Sequence, residues 1–148
     1  MADDNNTVIW VHADNLNPHS PVFQAAPDAP AIFVWDDDLL KRWNISLKRI
    51  TFIYECLLEL PVTIRRGDVA EQVVEFALAH DARRILTPVS PSPHHRLICQ
   101  RISDQMPSGS RLELLRDEPF ADYPGEIDLK RFSRYWRTVK KYALHPRK

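Results

Sequence analysis

Leu60-Pro-Val-Thr-Ile-Arg-Arg-Gly-Asp-Val-Ala-Glu-Gln-Val-Val-Glu-Phe-Ala-Leu-Ala-His-Asp-Ala-Arg-Arg-Ile-Leu-Thr-Pro88 reads as strand, tight turn, helix, strand. Val62 to Ile64 is a short β-prone run. Gly67 permits a turn that a residue with a Cβ resists. Asp68 is placed to cap the next helix, with Glu71 three residues on, as a capping box requires. Val69, Val73, Val74, Ala77 and Leu78 then recur at helical spacing, and Ile85 and Leu86 begin another strand. A right-handed crossover of this kind sets its two strands parallel in one sheet.

The same alternation extends in both directions. Val8-Ile9-Trp10-Val11 is a continuous apolar run, as expected of a strand covered on both faces, and it ends in the polar turn His12 to Pro18. Ser20 or Pro21 starts a short helix through Ala26. Ala31-Ile32-Phe33-Val34-Trp35 is a second buried-type strand, ending in Asp36-Asp37-Asp38. Asn44 or Ser46 opens a helix whose apolar stripe is Ile50, Ile53, Tyr54, Leu57 and Leu58. After the central unit comes a proline-rich loop, then a helix with Ser92 as N-cap and Pro93 at its first position. That helix carries Leu97, Ile98, Ile102 and Met106 and stops near Pro107-Ser108-Gly109. Arg111 to Leu115 alternates and reads as an edge strand. Strands alternating with helices predict an α/β three-layer sandwich with a mostly parallel sheet.

The bulk properties narrow the classes. The chain has 148 residues, 44% of them apolar, and 20 basic residues balanced by 20 acidic ones. That composition is globular and large enough for a real core. No apolar run approaches the length a bilayer requires, so no membrane partner is expected. The acidic, polar start (Asp3, Asp4, Asn5, Asn6) is unlike a secretory leader, and residues before Thr7 are expected to fray. Cys56 and Cys99, the only cysteines, both fall in helical patterns and read as buried thiols. The expected location is cytoplasmic. The charge balance conceals an asymmetry: from Asp128 to Lys148 there are eight Lys or Arg and one acid, a net +7, so the rest carries −7. The predicted division is therefore 1–116 as the α/β body and 117–148 as linker and basic amphipathic helix, with Leu129, Phe132, Trp136, Val139 and Ala143 on its apolar side.

These segments resemble the N-terminal α/β domain of DNA photolyases and cryptochromes. The likeness rests on Val8 to Leu16, Ala31 to Asp36, the helix from Ser46 to Leu60, the turn Arg66-Gly67-Asp68-Val69-Ala70-Glu71, and the tail Phe132-Ser133-Arg134-Tyr135-Trp136-Arg137. The resemblance implies a Rossmann-like five-stranded sheet of order 3-2-1-4-5, with a flavin-type antenna chromophore held in or beside it. The family's helical domain, which holds FAD and the lesion, has no counterpart in this sequence. No FAD site and no photolyase activity are expected of the chain alone, and a separately encoded flavin-domain protein becomes a possible partner. His12 and Asn15 stand where the family commonly has arginine. The loop Pro88 to His95 lacks the Asn and Glu of folate-binding members, which weighs against a folate antenna.

With that strand order, the sheet reverses between its first and fourth strands, where open α/β sheets bind ligands. His12, Asp14, Asn15, Thr87, Ser90 and His94 are the candidates there, for a nucleotide or flavin-like ring. The competing reading is a polar rim without a ligand, since neither a Rossmann fingerprint nor a P-loop is present. His94-His95 reads as an exposed pair in a first helical turn, with no neighbouring Cys or acid to complete a metal set. Asp36-Asp37-Asp38 lacks the ligand spacing of an EF-hand and reads as a solvated turn. Arg66-Gly67-Asp68 reads as turn plus cap. No Gly-x-Ser-x-Gly setting supports a hydrolase, and no catalytic residue is assigned. For the last helix, Lys130, Arg131, Arg134, Trp136, Arg137, Lys140 and Lys141 are the expected contacts to a partner protein or nucleic acid. The alternative is a helix packed on its own acidic body or on a second copy. A small nucleotide-using enzyme is the remaining reading, and it lacks a phosphate loop to stabilise transferred charge.

Overall fold

The computed structural model describes residues 6–121 and 123–143; of the residues before Thr7, expected to fray, 1–5 lie outside them, whereas Asn6 is held by the Arg83 N–H, which donates to its carbonyl and side-chain oxygens. The elements, in chain order, are β1 (Thr7–Val11), α1 (Pro21–Ala25), β2 (Ala31–Trp35), α2 (Asp37–Arg42), α3 (Leu47–Leu58), β3 (Val62–Arg66), α4 (Val69–Ala79), β4 (Arg84–Pro88), α5 (Pro93–Gln105), β5 (Arg111–Leu115) and α6 (Phe132–Ala143). The strands form one sheet of order β3-β2-β1-β4-β5. Every pairing is parallel, with Ile9 beside Ala31 on one flank of β1 and beside Leu86 on the other. This is an α/β, Rossmann-like fold. Contacts divide the chain into a unit from Met1 to Asp117 and a second from Glu118 to Lys148.

Alternation along the strands fills two cores. Val8, Trp10, Ile32, Val34 and Ile85 face α4 and α5, while Ile9, Val11, Ala31, Phe33 and Leu86 face α1 and α3. All of β1 is buried, which is why its sequence is apolar without a period of two. β5 lies at one edge, as its alternation predicts.

Three local expectations need correction. In α4, Ala70 and Phe76 are buried and Leu78 is half exposed. At 100° per residue Leu78 falls beyond the arc that runs from Phe76 through Val69 to Val74. On α3 only Ile53 and Leu57 are buried, and Tyr54 and Leu58 lie on the outer flank. The three aspartates after β2 are the start of a helix, not a turn: the Asp36 carboxylate accepts from the amides of Asp38 and Leu39 and so caps α2.

The caps explain where the central helices begin and end. Asp68 accepts from Glu71 N–H at 3.0 Å, and Gly67 before it has φ +147°, with Gln72 Cγ 3.2 Å from where a Cβ would stand. Ser46, rather than Asn44, caps α3. Asn44 has φ 49° and ends α2 instead. Its N–H bonds to Lys41 C=O, and Ile45 N–H bonds to Leu40 C=O, a Schellman pair that carries Leu40 and Ile45 together. Ser92 stands at the N-cap of α5, but its hydroxyl makes no cap bond; His95 N–H donates to the Ser92 backbone carbonyl at 3.1 Å. Cys56 is half-buried and Cys99 buried, both as free thiols.

In the second unit, Leu129, Lys130 and Arg131 precede α6. Asp128 accepts from Lys130 N–H and pairs with Arg134 at 3.1 Å. On α6, Phe132, Tyr135, Trp136, Val139 and Tyr142 share one side, with the Phe132 and Trp136 rings parallel and 6.1 Å apart. Arg134, Arg137, Lys140 and Lys141 fall on the other.

Candidate functional site

The carboxyl ends of β1 and β2 frame a cavity of about 140 Å³. Its floor is strand: Trp10, Val11 and His12 from β1 and the turn after it, and Phe33, Val34 and Trp35 from β2. Leu39, Leu40 and Trp43 from α2 and its end close one side, with Ile45, Arg49 and Ile53 below. Ser92, His94 and His95, from the start of α5, close the other. The Schellman stop after α2 is what turns Leu40 and Ile45 into this wall.

The histidines are held by rings. His95 stacks on Trp10 with ring centres 5.1 Å apart and planes 12° from parallel. His12 meets the edges of both, at 5.6 Å from Trp10 and 4.6 Å from His95. Trp43 stands edge-on to His94 at 4.8 Å. Burial lowers the pKa of His12, only partly offset by its bond to Pro88 and by Asp14. Burial, with His12 beside it, lowers that of His95 to about 4. Both rings are therefore neutral near pH 7. His12 Nε2 lies 2.8 Å from the Pro88 carbonyl. A carbonyl only accepts, so Nε2 carries the proton and Nδ1 is a lone-pair acceptor. Among the described residues, His12 Nδ1 and His94 Nε2 are buried without a hydrogen-bond partner.

Of the six residues predicted at the switch point, His12, Asp14 and His94 line this cavity. Asn15 is tied to Asp117. Ser90 donates to Asp14 and accepts from Ser92 N–H, joining the loop after β4 to the loop after β1. Thr87 is fully buried on β4 away from the cavity lining, with its hydroxyl unpartnered among the described residues. Asp36 also borders this cavity.

The histidine pair is not exposed: His95 is 6% accessible. His95, Ile98, Cys99 and Ile102 fall at i, i+3, i+4 and i+7 on the buried side of α5, a spacing that was legible in the sequence. Cys99 Sγ lies 3.6 Å from His95 Nδ1. Burial raises that thiol to about 11, so it is not a thiolate nucleophile at neutral pH. Among the described residues, no group of three or more His, Cys, Asp and Glu could hold a metal ion. None of the described helices is long and apolar enough to cross a membrane.

A second recess, of about 420 Å³, lies over the ends of β2 and β3 and is lined by Asp36, Asp37, Asp38, Lys41, Arg42, Arg66, Asp68 and Arg101. Here ionic groups pair with each other. Arg66 Nε donates to Asp37 at 2.9 Å, and both Arg101 Nη groups reach Asp68 at 2.9 Å. Comparison with known protein families, and with curated proteins, finds no match for this chain.

Proposed function

We propose that this chain is a photolyase-like binding module, non-catalytic by itself, that holds a neutral planar heteroaromatic ligand of flavin or nucleobase type over β1 and β2. The observation that carries this reading is the cavity itself. Its walls are aromatic and aliphatic, with few polar groups, which is the usual make-up of a small-molecule site. Its volume, about 140 Å³, is close to that of a cavity of about 150 Å³ that takes a benzene ring. It can enclose one ring of a fused system while the remainder projects past Trp43. Nothing in its lining pairs a nucleophile with a base, which favours carriage over covalent chemistry. On this reading the chain performs no photorepair, and serves as a chromophore or nucleotide carrier, or as an accessory to a separate flavin-domain protein.

The test is an absorption spectrum of freshly purified protein, followed by extraction and mass analysis. A ring-bearing ligand that Trp10→Ala no longer retains is the expected result. A ligand retained equally by that variant overturns the placement. In parallel, the protein plus free FAD should leave illuminated cyclobutane-dimer DNA unrepaired.

The segregation of Arg134, Arg137, Lys140 and Lys141 from the aromatic side of α6 favours a second reading, an interaction subunit that docks on a partner or nucleic acid. A salt-sensitive gel shift with DNA, lost when residues after Glu126 are removed, would support it.

A further inference from the structure

We infer that the outer face of α3 is a self-association surface, through which two copies of this chain pair with their α3 helices antiparallel about a two-fold axis. The inference is independent of the cavity and of any ligand there.

That face is apolar where an isolated surface helix would be polar. Ile53 and Leu57 point from α3 into the core beneath it. At 100° per residue, Leu47, Thr51, Tyr54 and Leu58 share an arc of about 60° on another side. Leu47 is 77% accessible, Leu58 66% and Tyr54 48%, and Phe52, further round the helix, is 62% accessible. Thr51 belongs to the stripe through its methyl group, since its hydroxyl donates to the Leu47 carbonyl at 2.9 Å. A shallow groove of about 570 Å³ runs along it, between Leu47 and Phe52. Clustered apolar exposure of this kind marks an interaction surface.

Charge identifies the occupant. Lys48, Glu55 and Glu59 run along one border of the stripe, within about 40° of one another. All three are exposed, and among the described residues none of them enters an ion pair. The border is therefore basic near the start of α3 and acidic near its end. A two-fold axis perpendicular to two antiparallel helices brings the same border of each copy side by side, running in opposite directions. Setting Leu47 opposite Leu58 of the second copy sets Thr51 opposite Tyr54. Lys48 then falls between Glu55 and Glu59 of the second copy, about 3 Å along the axis from each at 1.5 Å per residue. Symmetry repeats the arrangement at the other end. A parallel pair would instead lay this border against the opposite one, with Ile50 and Tyr54, and leave its charges unmatched. The face thus complements itself in one orientation only. A contact made by one helix from each copy is smaller than a standard interface, so the dimer should be weak, with a Kd on the order of 10–100 µM.

The test is analytical ultracentrifugation of the full chain from about 5 to 500 µM, a range that brackets that Kd. Wild type should pass from monomer to dimer across it. Leu58→Glu should weaken association at least about tenfold, since it buries like charge at the contact. Lys48→Glu, and separately Glu55→Lys combined with Glu59→Lys, should each self-associate about tenfold more weakly than wild type, because each sets like charges against one another. Mixed in equal amounts, those two variants should form a heterodimer at least as tight as the wild-type dimer, since both charge pairings are restored. A wild-type chain that stays monomeric throughout overturns the inference. A mixture that associates no better than its components overturns it as well. Association that survives Leu58→Glu but is lost in Phe132→Glu belongs to α6 and overturns it too. If one of the charge variants does not fold, the comparison of Leu58→Glu with Phe132→Glu still decides.

Discussion

The cavity over β1 and β2 and the recess over β2 and β3 share Asp36, Leu39, Val69, His94 and Ile98, yet they use their polar atoms differently. In the recess, Arg66 and Arg101 are matched by Asp37 and Asp68. Those pairs stand near solvent, where ionic contacts contribute little. In the cavity, His12 and His94 each keep a buried nitrogen without a partner among the described residues. The lesson is that charge alone does not mark a binding site. The recess is richer in charged groups, but Arg66, Asp37, Arg101 and Asp68 are paired with one another; the cavity is poorer, and His12 in its lining keeps an unpartnered nitrogen.

Changes in the cavity should therefore cost more than changes in the recess. The largest effect is expected for Trp10→Ala. Trp10 is 2% accessible and supports both His12 and His95, and deleting such a side chain costs about 3–5 kcal/mol. Chemical denaturation should show that loss, and a loss below about 1 kcal/mol would mean the stacked rings are not integral to the core.

Next comes acid. The folded-state pKa of His95 is about 4, against 6.5 for a free imidazole. The unfolded chain thus binds more protons between these values, and stability should fall as pH drops from about 6.5 toward 4. Down to pH 5 the loss is about 2 kcal/mol. His12 adds in the same direction. The carboxylates Asp37, Asp68 and Glu113 have lowered pKa values, so their stabilisation is lost only at lower pH, below the ordinary carboxylate range. Urea melts at pH 7.5 and pH 5 should separate wild type from His95→Leu, whose stability should depend less on pH in that window. Identical pH dependence would contradict a buried neutral imidazole.

The smallest effects belong to the recess. Asp68→Ala removes the cap of α4 and the Arg101 pair, and about 1 kcal/mol is expected, most of it from the cap. Asp37→Asn, which breaks only the exposed pair with Arg66, should leave the melting temperature unchanged. If it proves the more damaging of the two, the recess is not the solvated structure described above.

What could be read from sequence follows from where the information sits. Val8 to Val11 announces a strand covered on both faces, and Gly67-Asp68 announces the turn and cap of α4, because both signals are local. α2 was missed because its six residues show no full stripe, although Asp36 at its start and Asn44 just past its end are ordinary capping signals. The cavity lining was legible only in its polar part. His12, Asp14 and His94 stand where polar strand ends should. Trp43, Ile45 and Arg49 reach the cavity through the docking of α2 and α3, a tertiary event with no local signature. Ser90 and Asn15 looked equally suitable as ligand contacts, and only the fold shows that Asp14 and Asp117 already engage them.

The bond from His12 to Pro88 joins residues 76 positions apart. Contacts of such sequence separation form late, since a long loop must close first. β1 can pair with β2 as soon as α1 has formed between them, but the carbonyl that sets the His12 tautomer arrives only when β4 docks on the opposite flank of β1. On a ribosome, the bond that fixes the His12 tautomer is therefore absent from the emerging chain until the crossover through α4 is complete. A half-made chain could collapse around β1 and β2 with the His12 ring still free to take either tautomer.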